Sequence, residues 1–331
     1  MKTRIGIASG VLSAALAVAA FGIGFASVSA EAETIKVAHA TWVGFGPLYV
    51  AKEKGFFKEH GLDVDLIVME ETPLRFSALR GGQVDIVSTS PDAGLLYMKK
   101  PDDFKYVGML DQSYGADGVV ANKDLKTMAD LKGHTVAVMK GSISEYWLNL
   151  LLLPTGVSEG ELNTVDMTPG DAGAAFVAEK VDAAVTWEPW LSKAKATDHG
   201  HVIVDSTATP GALGDTLVMT TAYAKSHVKE LKAFLAAWDE AVQYIRAHPE
   251  EGNEIMAKGV GGWLKDPKDF GAVLQTVRFF DGKENQEFLG TKSAPGKFQD
   301  VMANAIKIWT DLGRLKVKVT PDDVLFYEIA D

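Results

Sequence analysis

Four segments of the chain mix glycine or small hydroxyl residues with aromatic and acidic side chains, a combination suited to gripping a small polar ligand. They are Thr41-Trp42-Val43-Gly44-Phe45-Gly46-Pro47, Ser88-Thr89-Ser90-Pro91-Asp92, Lys140-Gly141-Ser142-Ile143-Ser144-Glu145-Tyr146-Trp147 and Thr186-Trp187-Glu188-Pro189-Trp190. Glycine and serine let a ligand approach backbone N–H groups, aromatic rings give it a face to pack on, and carboxylates accept its hydrogen bonds. The candidate contacts are Trp42, Phe45, Ser90, Asp92, Ser142, Ser144, Glu145, Trp187, Glu188 and, from a loop, Asp215. Asp111 and Asp117 are likewise expected in loops that can face the same place. Each segment also has a plain structural explanation. Ser90-Pro91 is a normal helix start, Ser142-x-x-Glu145 fits a capping box, and Trp42 and Trp187 suit a core.

The charge of these segments bears on the ligand. They hold several acids and only Lys140 as a base, whereas a strongly anionic ligand wants arginine, lysine or bare helix N-termini. Carboxylates beside aromatic rings suit an amine or a guanidinium. A taurine-like zwitterion also fits, with its ammonium on an acid. The sharpest expectation is that Glu145 and Glu188 contact a cationic group while Trp42 and Trp187 pack on it.

Catalytic chemistry finds little support. The chain has no cysteine, which excludes disulfides, thiolate metal sites and a cysteine nucleophile. Its 7 histidines are scattered, and no metal-spaced trio, P-loop, nucleophile elbow or GxGxxG appears. No cofactor, metal or enzymatic activity is expected. Lys plus Arg is 33 against 44 Asp plus Glu, a net charge of -11, which argues against nucleic acid as a partner.

Those segments need elements to position them. Strands are expected at Ile35–Ala40, Asp63–Val68, Val84–Ser88, Tyr106–Leu110, Gly118–Ala121, Thr135–Val138, Thr164–Met167, Ala183–Thr186 and Leu217–Thr220. Helices fall between them, as at Pro47–Lys58, Pro73–Arg80, Pro91–Lys99 and Glu145–Leu153. From Val228 the pattern turns helical, through Ala247, Pro249–Lys258, Pro267–Val277 and Gly296–Leu312. Alternating strands and helices predict parallel sheets covered on both faces. The four segments then sit where strands end and helices begin, which is where open α/β sheets bind ligands.

Two strands, Gly118–Ala121 and Thr216–Met219, read as crossings between domains. That divides the chain into a lobe of 31–118 plus 219–331 and a second lobe of 119–218. Residues 1–30 read as a secretory signal peptide. Lys2 and Arg4 precede an apolar run, and Val28-Ser29-Ala30 has the small-x-small form of a cleavage site after Ala30. A periplasmic location is expected.

The order and spacing of several motifs resemble a known family. The motifs are Pro47-Leu48-Tyr49-Val50-Ala51-Lys52-Glu53-Lys54-Gly55-Phe56-Phe57, Gly61-Leu62-Asp63-Val64, Ala78-Leu79-Arg80-Gly81-Gly82-Gln83-Val84-Asp85, Asp130-Leu131-Lys132-Gly133-His134-Thr135-Val136-Ala137 and Val181 to Trp190. With them the mature chain resembles the periplasmic solute-binding proteins of ABC importers for nitrate, taurine and aliphatic sulfonates. The resemblance implies an α/β, two-lobed type II periplasmic binding protein fold, with two doubly wound sheets joined by a two-strand hinge. It also implies a small-molecule ligand, an ABC permease at the inner membrane as partner, and a monomer. A pyrimidine-precursor enzyme and a sensor subunit occur on the same fold. The enzyme relies on a cysteine-rich motif that this chain lacks.

Overall fold

The computed structural model describes residues 34–330; the expected signal peptide and cleavage site lie outside them. The described residues form eleven strands: β1 Thr34–His39, β2 Asp63–Val68, β3 Ile86–Thr89, β4 Phe104–Ser113, β5 Asp117–Asn122, β6 Thr135–Val138, β7 Asn163–Asp166, β8 Ala183–Trp187, β9 Gly200–Asp205, β10 Gly214–Thr220 and β11 Val277–Phe279. They form a six-stranded sheet, β11-β4-β10-β3-β1-β2, and a five-stranded sheet, β7-β6-β8-β5-β9. Each sheet with its helices makes one lobe of a two-lobed α/β fold.

The sheets are mixed, not wholly parallel. The βαβ units pair in parallel, β1 with β2 and β3, and β6 with β7 and β8. Strands beside the passages between lobes pair antiparallel, β5 with β8 and β9, and β10 with β3 and β4. A strand that enters from the other lobe, without its own crossover helix, is free of the parallel constraint. The passages run through residues 114–116 and 206–213, so the expected boundaries at 118/119 and 218/219 fall inside β5 and β10.

Local chemistry explains most departures from expectation. The helix expected at Pro47–Lys58 is two: Gly46–Lys54 stops at Gly55, whose φ of +85° cannot continue a helix, and Phe56–Glu59 follows. The helix from Pro267 ends at Leu274, and Val277 joins β11 instead. The helix Gly282–Leu289 was not anticipated, although Asp281 and Glu284 form its capping box. β9 and β11 were also not anticipated. β11 is three residues long and exists through its pairing with β4.

The lobes share apolar packing. The Lys297–Asp311 helix places Phe298 and Trp309 in one cluster with Tyr146, Trp147 and Leu148 of the Ile143–Leu152 helix, and with Tyr106 and Met109 of β4. Trp147 donates its indole N–H to Thr209 Oγ1 at 2.8 Å, tying that helix to the second passage.

Candidate functional site

The most unusual chemistry of the molecule is a group of desolvated carboxylates. Asp111, on β4, is 1% exposed, and neither of its carboxylate oxygens has a hydrogen-bond partner. It lies directly opposite Asp215 of β10 in the strand register. Like charges facing each other across a ladder are destabilising, and the ladder shifts register just beyond this pair. Burial, and then the charge of Asp215, push the Asp111 carboxyl well above the usual carboxylate range. Asp215 is pushed up to about 7, first by burial, with Asp117 and Asp92 adding repulsion and Arg75 opposing it. Asp117, which opens β5, is pushed up to about 6 by burial.

Asp92 stands in the first turn of the Pro91–Leu95 helix and is 1% exposed. Neither of its carboxylate oxygens makes a hydrogen bond of good geometry; burial lifts its carboxyl to about 6, opposed by the Ser90 hydroxyl, the Asp92 and Ala93 N–H groups and the Trp309 indole, which lie close to it. The hydroxyls of Tyr106 and Tyr146 are within electrostatic reach of it, and both are buried without a partner, as is Ser88 Oγ. Buried polar atoms are almost always satisfied, so a concentration of unsatisfied ones asks for an explanation. Tyr146 comes from the second lobe, whereas Asp92, Tyr106 and Ser88 come from the first.

Trp42 precedes the one-turn helix Val43–Phe45 beyond the end of β1. Its buried indole N–H makes no hydrogen bond of good geometry, yet it lies close enough to Asp111 to favour the ionised carboxylate. Gly44 makes this approach possible: a Cβ there would lie 1.6 Å from Asp111 Oδ2 and 2.6 Å from Trp42 Nε1. Gly94 serves the neighbouring group, since its Cβ would lie 2.2 Å from the Tyr106 hydroxyl.

Arg75 is the cation that opposes the rise of Asp215. Arg75, in the Thr72–Arg80 helix, is 4% exposed. It donates to the Met69 and Glu70 carbonyls at 2.6 and 3.0 Å and to Thr72 Oγ1 at 2.9 Å, and its Nε is unpartnered. Its helix was expected, but nothing local marked this arginine as a buried one.

The expected contacts divide into those near this group and those used elsewhere. Asp92, Asp215 and Trp42 belong to it, and Ser90 precedes Asp92 as a buried N-cap without a side-chain cap bond. Trp187, half-buried, ends β8 opposite Asp117. Phe45 is 2% exposed and packs with its ring 5.4 Å from that of His39, a core position. Ser142 is an N-cap: its hydroxyl accepts from the Ser144 N–H at 3.1 Å and donates to the Met139 carbonyl at 2.7 Å. Ser144 is buried.

The two glutamates have partners within the protein. Glu145 Oε2 accepts the Gly141 N–H at 2.6 Å, and its other oxygen pairs with Arg314, so both oxygens are occupied. The capping expected of Glu145 is thus realised one residue earlier, on Gly141 and not on Ser142. Glu188 accepts from the Ser192 N–H at 3.1 Å and the Ser192 hydroxyl at 2.9 Å, closing the turn into the next helix. The acids left free for a ligand are aspartates. Asp111, Tyr106, Tyr146 and Arg75 were not among the expected contacts, because only the β4/β10 register and the packing of the Ile143–Leu152 helix bring them to Asp92 and Asp215.

Comparison with known proteins places this arrangement. A family model described as NMT1/THI5 like matches residues 42–252. A binding protein of Brucella abortus (strain 2308) is 27% identical over 287 residues, covering 85% of this chain and 85% of the relative. An aliphatic sulfonates-binding protein of Escherichia coli (strain K12) is 31% identical over 191 residues, covering 57% of this chain and 60% of the relative. The crystal structure of the periplasmic aliphatic sulphonate binding protein from Escherichia coli aligns with a TM-score of 0.70 at 21% identity, over 90% of this chain and 99% of that one. That likeness concerns the fold, a periplasmic binding protein fold in two lobes. The family match covers well over half of the chain, the whole five-stranded sheet and all of the six-stranded sheet but β1 and β11, and the chain belongs to the NMT1/THI5-like family.

Proposed function

We propose that the protein is an extracytoplasmic solute-binding protein that carries a small organic cation, an amine or a guanidine, to the permease of an ABC importer. The binding role is supported by family membership and by relatives named as binding proteins, including one for aliphatic sulfonates. The cationic ligand is supported by one observation above all: Asp92 and Asp111 are buried and their carboxylate oxygens make no hydrogen bond of good geometry within the protein. A buried charge without a partner is costly, and a bound cation relieves that cost. Trp42 offers a ring beside Asp111 for cation–π contact. The lobes are expected to close over the solute, with Tyr146 arriving from the second lobe.

A taurine-like zwitterion is the second reading. It is favoured by the unpartnered Nε of Arg75, which could receive an anionic end while an aspartate holds the ammonium. A thermal-shift panel separates the two. Methylguanidine and methylammonium chlorides should raise the melting temperature, and nitrate and ethanesulfonate should leave it unchanged. A ligand binding only the folded state adds about 2.7 kcal/mol at one hundred times its dissociation constant. Stabilisation by taurine alone selects the zwitterion, and stabilisation by ethanesulfonate alone rejects the cationic site.

A further inference from the structure

We propose that Asp111 and Asp215 share a single proton in the ligand-free protein and exchange it for the bound cation, so that each cation taken up releases one proton. The proposal rests on the cation-binding reading above and names the pair that carries the exchange. The two residues lie directly opposite each other on β4 and β10. Such partners in an antiparallel ladder point to the same face, with Cβ atoms about 4.5–5.5 Å apart. Asp111 is 1% exposed and Asp215 is half-buried. Two carboxylates this close and this poorly solvated cannot both ionise cheaply, and one proton between them removes the repulsion. The pair is close enough for the Asp111 acid to donate to Asp215. That hydrogen bond gives a partner to an Asp111 oxygen that accepts none of good geometry.

The pair is placed to meet a ligand. Thr216 pairs with Thr89, the last residue of β3, so Asp215 stands just past the carboxyl end of that strand. Trp42, which lies close to Asp111, follows the carboxyl end of β1. This is the edge at which open α/β sheets bind ligands. Asp117 and Asp92 repel the Asp215 charge, and Arg75 attracts it. From β11, Phe279 lies opposite Asp111, and Arg278 is turned onto the Tyr114 ring at 3.3 Å. Asp92 and Asp117 are raised only to about 6 and Asp215 to about 7, so in mildly alkaline solution the proton left in this group is the one on Asp111. A cation replaces the positive charge that this proton supplied. The acid O–H bond then breaks, its electron pair stays on the carboxylate, and the proton passes to water.

Titration of weakly buffered protein with methylguanidinium chloride in a pH-stat at pH 8 reads the exchange. It should release about one proton per cation bound, and calorimetry should find the dissociation constant about tenfold lower at pH 8.5 than at pH 7.5. Asp111→Asn should release almost none and lose the pH dependence. Infrared spectra decide the matter even if that variant binds too weakly to titrate. Ligand-free wild type at pH 8 should show a protonated-carboxyl stretch that disappears on saturation, and Asp111→Asn should lack it before any ligand is added. Binding without proton release overturns the proposal and leaves the cation-binding protein standing. So does an Asp111→Asn variant that releases as many protons as the wild type or keeps its protonated-carboxyl stretch. If neither methylguanidinium nor methylammonium binds, the cation reading itself is rejected, and the exchange with it.

Discussion

At the scale of single residues, the site depends on a glycine as much as on its acids. The Asp111 carboxylate lies where a side chain at position 44 would begin. Gly44→Ala therefore forces the carboxylate or the Trp42 indole to move, and overpacking of this kind costs about 1–3 kcal/mol. The expected outcome is a lower melting temperature together with at least a tenfold loss of methylguanidinium affinity by calorimetry. Full affinity in a destabilised Gly44→Ala protein would remove Asp111 from the ligand contacts and leave it a structural group. Asp111 could be noticed in the sequence as an acid in a segment free to face the site. Its confrontation with Asp215 could not, because their pairing joins strands about a hundred residues apart through antiparallel register.

At the scale of elements, the N-terminus of the Ile143–Leu152 helix separates stability from binding. Glu145 is 1% exposed and joins this helix to Arg314, which follows the Lys297–Asp311 helix, so the ion pair ties together two helices far apart in the chain. Burial pushes the Glu145 carboxyl up, and the Gly141 N–H and Arg314 oppose that rise. Glu145→Gln keeps an acceptor for Gly141 but loses the charge facing Arg314. Hydrogen bonds to charged groups contribute about 1.5–3 kcal/mol, and the part-exposed Arg314 side chain reduces this to about 1–2 kcal/mol. Urea unfolding should show that loss while ligand affinity stays within twofold. A tenfold fall in affinity with unchanged stability would return Glu145 to the ligand contacts. The Ser142-x-x-Glu145 spacing announced a capped helix start, and that part was legible. The arginine that claims the other carboxylate oxygen lies 169 residues away, beyond any local signal.

At the scale of the whole molecule, the desolvated carboxylates set a pH dependence. Asp215 is raised to about 7 and Asp92 and Asp117 to about 6, and Asp111 is raised well above the usual carboxylate range by burial and by Asp215. Above neutrality the folded protein must hold these groups charged with little water around them, Asp92 and Asp111 buried and Asp117 and Asp215 half-buried. As pH falls toward 6.5 the folded state takes up protons that the unfolded chain, with ordinary carboxyls, does not bind. Stability without ligand should therefore rise as pH falls from 8.5 to 6.5. Below that window His39, whose pKa burial lowers, acts in the opposite direction, because the unfolded chain then binds the extra proton. Arg75, the cation opposing Asp215, stays charged throughout. Melting temperature followed by calorimetric scanning should climb across this window, and saturating methylguanidinium should flatten the climb by favouring the charged carboxylates. A ligand-free melting temperature that falls steadily from pH 8.5 to 6.5 would show that these carboxylates are hydrated and ordinary.

The sequence by itself determined the class of fold and where the candidate site was to be sought. Strands and helices announce themselves through local periodicity, and a helix following a strand brings the end of that strand to the edge of a sheet. So Trp42, Ser90, Asp92 and Trp187 could be placed at strand–helix junctions, and the motifs from Pro47 to Trp190 pointed to the family that the chain belongs to. Only the tertiary structure decided which acids remain free. Glu145 and Glu188 look as available as Asp92 in the sequence, yet the first meets Arg314 from the far end of the chain and the second folds back on Ser192. Asp111 and Asp215 become a pair through the β4/β10 register, and Tyr146 reaches Asp92 through packing between the lobes. The difference has one physical origin. Secondary structure follows from neighbours in the chain, whereas whether a charged group is left without a partner depends on every group that folding brings within hydrogen-bond distance of it.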